Sequence, residues 1–255
     1  MQGVLSALWT KDGPWGIWRG TNISFLQTVA ASTLDSWLSA FFSAVCSLPD
    51  PAVLDSLSDS PRPLLALVVS LAASTLTSLA LAPLDIVRTK LILTPPDAQP
   101  RSIAASLQCL PSLLCPAHLA LPTVLLSAVP KAVARGAPVL FRMRWAVDAL
   151  TAPALYNVLS LGAAVLELSV RLPLETVLRR GQLAYVGVKR TVVPVGAYRG
   201  VLGTMWDVLS AEDNGVTGWE GLWRGWRLGV LGVLGTWGFR AMRSSSLDLG
   251  REERF

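Results

Sequence analysis

The chain has 255 residues, 52% of them hydrophobic and 15% charged, with a formal net charge of +5. Its mean hydropathy of +0.49 excludes an ordinary soluble domain. The modest basic excess, placed in loops such as Lys189-Arg190, suits an anionic membrane surface and calls for no nucleic acid.

Taken in chain order, the first predicted span is Thr21 to Ala44, which holds one charge, Asp35. No secretory signal with a cleavage site precedes it. Residues 48 to 63, LPDPAVLDSLSDSPRP, form a turn-rich connector. Residues 64 to 84 then run for 21 positions without a charge, close to the ~20 needed to cross a hydrocarbon core. A second connector, TPPDAQPRS, follows at 94 to 102, and the segment from Ser102 to Cys115 is expected to lie along the membrane surface.

Leu119 to Val147 is the next span, carrying Lys131, Arg135, Arg142 and Arg144. Leu150 to Leu166 is uncharged, with Glu167 and Arg171 before Pro173. Residues 181 to 198 read as a long basic loop. They lead into a second surface helix at Gly200 to Glu212, where Val201, Met205, Val208 and Leu209 recur at helical spacing. Residues 228 to 239 form the last apolar run, between Arg227 and Arg240. Five spans are thus expected, with their charges turned toward a bundle interior or a wet cavity.

The chain also repeats itself. Residues 3 to 20, GVLSALWTKDGPWGIWRG, and residues 200 to 225, GVLGTMWDVLSAEDNGVTGWEGLWRG, share their opening Gly-Val-Leu and their closing Trp-Arg-Gly. Pro83-Leu84-Asp85 and Pro173-Leu174-Glu175 each follow a long apolar run, 90 residues apart, and each is expected to end its helix. The unit is therefore a long helix closed by Pro-x-acid, a loop with a surface helix, Trp-Arg-Gly, and a second long helix.

This unit resembles that of the mitochondrial carrier family, with its P-x-[DE]-x-x-[KR] and [DE]-G-x-x-x-x-[WF]-[KR]-G elements. Asp12-Gly13 through Trp18-Arg19-Gly20 match the second element in full. Gly218 and Trp223-Arg224-Gly225 match it again, with Thr217 in place of the acid. Pro83, Asp85 and Arg88 complete the first element, whereas after Pro173 and Glu175 the basic slot holds Leu178 and the bases move to Arg179 and Arg180. These carrier-signature residues are read as structural.

The resemblance implies an all-α membrane protein, a carrier-like bundle of three helix-pair repeats in which the first odd-numbered helix has no counterpart in this chain. The expected division is 1–47 for the remainder of repeat 1, 48–150 for repeat 2 and 151–255 for repeat 3. In carriers the paired charges gate the two ends of the bundle. A base displaced by one position turns by about 100°, so Arg179 is expected to point away. The motif for the opposite end is missing at Ser39–Ser43 and at Ser244–Asp248, and the second unit lacks Trp-Arg-Gly. Lost gates suggest lost transport.

WRGTNISFL at 18 to 26, PLDIVRTKLILTP at 83 to 95 and PLETVLRRGQ at 173 to 182 resemble a degenerate outer-membrane branch of that family, to which the fungal Ugo-type fusion proteins belong. That likeness implies a multi-pass scaffold of the mitochondrial outer membrane without a substrate. Its partners would be a mitofusin-type outer-membrane GTPase and an inner-membrane dynamin-related GTPase, besides membrane lipid. The alternative is a working carrier exchanging a small anionic solute.

Lys131, Arg135 and Arg142 fall within about 40° on a helical wheel. They are read as contacts for an anionic ligand, a lipid headgroup or an acidic partner segment, or else as a solvated cavity wall. Glu167 and Arg171, four apart, suit a helical salt bridge. Gly229, Gly232, Gly235 and Gly238 would admit a close helix from the same bundle or, in a homodimer, from a second protomer. Trp9, Trp15, Trp18, Trp219, Trp223 and Trp226 cluster at span ends, as interfacial anchors or a partner-binding patch. His118 has no acid or Ser partner, and Cys46, Cys109 and Cys115 lack zinc spacing. No enzyme, metal or cofactor is expected.

Overall fold

A computed structural model of the chain describes residues 20–49, 60–93, 102–112, 114–148, 151–187, 197–210 and 221–252, with side chains in the last segment described through residue 239. The described residues form helices and connections only. Helix α1 runs Thr21–Val45, α2 Pro63–Ala80 and α3 Ala82–Leu93. The short α4 covers Ile103–Gln108, capped by the Ser102 hydroxyl, which accepts from the Ala105 amide. Then come α5 at Ala117–Trp145, α6 at Pro153–Val186, α7 at Gly200–Ser210 and α8 at Trp226–Glu252. Long helix, short helix, long helix therefore recurs twice after α1.

Neighbours in sequence are neighbours in space. α1 packs on α2, α2 on α5, α5 on α6 and α6 on α8, while α3 joins α6 and α1. Small side chains let α2 sit close against its partners: Ala73 and Ser74 are completely buried, and Ala66, Ser70 and Thr77 nearly so. Larger apolar clusters tie the ends. Leu48, Ala66 and Val69 pack with Phe42 and Cys46 at the α1–α2 turn. Ala137, Phe141 and Val147 pack with Tyr156 and Leu159 where α5 hands over to α6.

Polarity is inverted relative to a soluble protein. Thr89, Gln182, Ser70 and Ser127 are buried, whereas Phe25, Trp37, Phe41, Val68, Leu140, Val158, Leu231 and Phe239 are exposed. An apolar outside over a polar inside is the arrangement of a protein solvated by lipid. Among the described residues, α2, α5 and α6 are long and apolar enough to cross a membrane. Fewer spans qualify than the five expected. α1 is long enough at 25 residues but carries Asp35, Gln27 and a series of Ser and Thr.

The prolines behave differently from expectation. Pro83 does mark a break, with α2 ending at Ala80 and α3 starting at Ala82. Pro173 ends nothing: α6 passes through it and continues to Val186, so the first part of the expected loop at 181–198 is helical. A proline ring leaves the carbonyl four residues earlier without its helical donor; Pro122, Pro130 and Pro138 in α5 and Pro173 in α6 all do so, and for two of them a side chain supplies that carbonyl with another donor. For Pro173 it is Ser169, whose carbonyl accepts from Trp223 Nε1 at 3.0 Å. For Pro122, inside α5, it is His118, whose carbonyl accepts from the Tyr198 hydroxyl at 3.2 Å. Burial pushes the Tyr198 phenol above its usual value. Trp223→Phe, which keeps the ring but not the N–H, should therefore cost about 1–3 kcal/mol. Urea unfolding in mixed micelles measures it, with exposed Trp226→Phe as the control.

Candidate functional site: a polar cavity and two charge clusters

The repeated Trp-Arg-Gly is explained by its glycines. Gly20 and Gly225 have φ of 78° and 93° and stand directly before α1 and α8. A left-handed residue is needed there to turn the chain into the helix, and glycine takes that conformation without strain. Each carbonyl then accepts the first helical bond, from Ser24 N at 2.9 Å and from Gly229 N at 3.1 Å. Trp18 and Arg19 lie outside the described residues. Arg224 is exposed beside Trp223.

Toward one end of the bundle a connected polar network joins the helices. Asp85 on α3 is its hub. Its Oδ2 accepts from Arg179 Nη1 at 2.8 Å and from Gln182 Nε2 at 2.6 Å, both on α6. Its Oδ1 accepts from Gln27 Nε2 of α1 at 2.9 Å and faces Arg88 Nη1 at 3.8 Å. Arg88 donates to Ser24 at 3.1 Å and Gln27 at 3.4 Å. Arg179 also reaches Thr89 at 2.8 Å and Glu175 at 3.4 Å. Three helices are thereby joined by charge-assisted bonds.

Arg179 therefore points into the bundle, contrary to the sequence expectation. The relevant angle is the one to the acid of its own motif, not to the vacated slot. A residue three positions on lies about −60° from Glu175 and one four positions on about +40°, so both share its face. Arg171 makes a second correction. It pairs with Glu175 at 3.8 Å and not with Glu167. The acidic partner that is one turn closer to the network wins.

Above the network lies a cavity of about 530 Å³. Its lining mixes hydroxyls (Thr28, Ser32, Ser78, Thr123, Ser127) with Asp35, Glu167, Arg171 and Lys131. Asp35 marks its level about 12 Å deeper than Gln27, eight residues along α1. There Lys131 Nζ stands 3.9 Å and Arg135 Nη2 3.4 Å from the Asp35 carboxylate. Arg142 does not share this cluster. It lies two turns further along α5 and faces Asp148 at 3.8 Å.

At the far end, Ser39–Ser43 places no acid-base pair, and the side chains of Ser244–Asp248 lie outside the described residues. Among the described residues, the Arg142–Asp148 pair at the α5–α6 turn is the ion pair found there, and it joins no two repeats. Of the glycine series on α8, Gly229 packs against Leu168 of α6, while a Cβ at Gly232, Gly235 or Gly238 would meet open space. The stripe thus serves one contact within the bundle.

The sequence reading missed Gln27, Thr89, Gln182, Ser70 and Ser74 as members of these clusters. The signal for Asp35 was present: the single charge of an apolar span must find an interior partner, and Lys131 and Arg135, one turn apart on another span, were two of the candidates in kind.

The chain is similar to the mitochondrial fusion and transport protein UGO1 of Saccharomyces cerevisiae. Identity is 24% over 277 aligned residues, covering 98% of this chain and 54% of UGO1. The chain thus spans about half the length of the curated relative it matches. No family model matches it, and no solved structure matches it. The likeness to the Ugo-type group runs along nearly the whole chain.

Proposed function

We propose that this chain is a carrier-derived, non-enzymatic scaffold of the mitochondrial outer membrane that promotes mitochondrial fusion without moving a solute. In this reading it binds the mitofusin-type GTPase of the outer membrane and the dynamin-related GTPase of the inner membrane. Residues 1–47, 48–150 and 151–255 are its three carrier-type units. A role in mitochondrial fusion rests on the similarity to UGO1. The scaffold character rests on one observation, the asymmetry of the two ends. Alternating access needs a closable gate on each side of a central site. Here one end carries a network joining three helices, and the described part of the other carries an ion pair within a single turn.

Solute exchange is the second reading, favoured by the cavity and by Lys131 and Arg135 at its level. The two readings part in one experiment. The purified full chain is reconstituted in liposomes and assayed for uptake of labelled small anions, and the same preparation is used to capture the two fusion GTPases. The scaffold reading expects flux equal to that of empty liposomes and retention of at least one GTPase. Saturable uptake abolished by Arg135→Ala, with no GTPase retained, overturns it.

A further inference from the structure

The cluster on α1, α2 and α5 has the make-up of an anion site, and something already fills it. An ammonium, a guanidinium and a hydroxyl converge on one carboxylate. Asp35 Oδ1 accepts from Ser74 Oγ at 2.8 Å and faces Lys131 Nζ at 3.9 Å, while Oδ2 accepts from Arg135 Nη2 at 3.4 Å. The guanidinium is itself held in place. Arg135 Nη1 donates to the Ser70 hydroxyl, to the Ser70 carbonyl at 3.3 Å and to Ser74 Oγ at 3.4 Å. Ser70 and Ser74 are buried, so the cradle is fixed to the packed face of α2.

Two cations face one acid, so the donor set exceeds what the acid neutralises. Asp35 and Lys131 both line the cavity, so the cradle opens onto space large enough for a small ion. Without Asp35, Lys131 at the cavity wall and Arg135 and Ser74 behind it would leave two positive charges and a hydroxyl around the vacated position, a set suited to a carboxylate or a phosphate oxygen.

We infer that Asp35 is a tethered ligand: its carboxylate occupies an anion site formed by Lys131, Arg135 and Ser74, excludes free small anions, and clasps α1 to α5 across the cavity. A group attached to the same framework has an effective concentration in the millimolar range or above, so dilute solutes do not displace it. Breaking the clasp exposes the site. The inference shares with the scaffold reading the premise that no solute passes. Flux in liposomes would remove that premise, whereas failure of the binding test below removes only the role given to Asp35.

The test compares the full-length wild-type protein, Asp35→Ala and the double variant Asp35→Ala/Arg135→Ala in detergent. Thermal unfolding is followed against acetate and against inorganic phosphate, with chloride at matched ionic strength as the blank. A ligand that binds only the folded state raises Tm with its concentration. Asp35→Ala is expected to start lower and to recover stability with acetate, half-maximally at a concentration at least about tenfold below any effect on wild type. The double variant should not recover. Recovery absent in Asp35→Ala, or equal in wild type, overturns the inference. Should Asp35→Ala fail to fold, the wild type alone decides through acylation of Lys131 read by mass spectrometry. Acetate at about 10 mM should leave that labelling unchanged if the tether holds, and protection of Lys131 by acetate overturns it.

Discussion

Replacing Asp85 with alanine should destabilise the protein by about 3 kcal/mol, as removal of one partner from a buried ion pair does. The side chain is 16% exposed and Arg179 27%, and the guanidinium left behind keeps Glu175 alone as its acid, at 3.4 Å. The loss spreads beyond the pair. Gln182 and Gln27 lose their acceptor as well, so α3 is left with Thr89 to hold α6 and Arg88 to hold α1. Urea unfolding in mixed micelles measures the effect. The companion variants Arg179→Ala and Asp85→Ala/Arg179→Ala complete a cycle with an expected coupling of at least about 1 kcal/mol. Additivity would mean that the network does not act as a unit. Arg171→Ala, at the exposed edge of the same helix face, should change stability by less than about 0.5 kcal/mol.

The second large effect is expected at Gly20. A Cβ there would lie 2.7 Å from Ile92 Cγ1, and the backbone sits at φ 78°. Gly20→Val thus combines a left-handed β-branched residue, about 1–2 kcal/mol, with overpacking against the end of α3, about 1–3 kcal/mol. Gly225 has the same left-handed backbone with open space around it, so Gly225→Val should carry the first cost alone. The difference between the two, measured by thermal unfolding in one detergent, isolates the contact between the start of α1 and the end of α3. Equal losses would contradict it.

Much of this fold could be read from the residues, because its signals are local. The uncharged run at 64–84, the short helices near 103–108 and 200–210, and the glycine that opens α1 and α8 each follow from period, turn chemistry or backbone freedom. The charge partners could not be read in that way. Arg179 was expected to turn away because one helical step was measured from the wrong reference, and its true partner, Asp85, is 94 residues distant. Asp35 showed only as an exception within an apolar span, while the groups that hold it come from α2 and α5. Pro173 carried the proper sign of a helix end, yet the donor that lets the helix continue is Trp223, 54 residues later. Pairings of this length depend on how the helices assemble, which no window of sequence contains.

The bond from Trp223 to Ser169 has a consequence for biosynthesis. While α6 is being made, its proline leaves a bare carbonyl at membrane depth, and the indole that covers it has not yet left the ribosome. Pro122 differs, because its carbonyl partner His118 lies in the first turn of α5 at an exposed position, although Tyr198 comes 80 residues later. Until Trp223 arrives, water, a hydroxyl or a local adjustment of the helix must meet the Ser169 carbonyl, and α6 gains its final bond only when the segment before α8 docks on it.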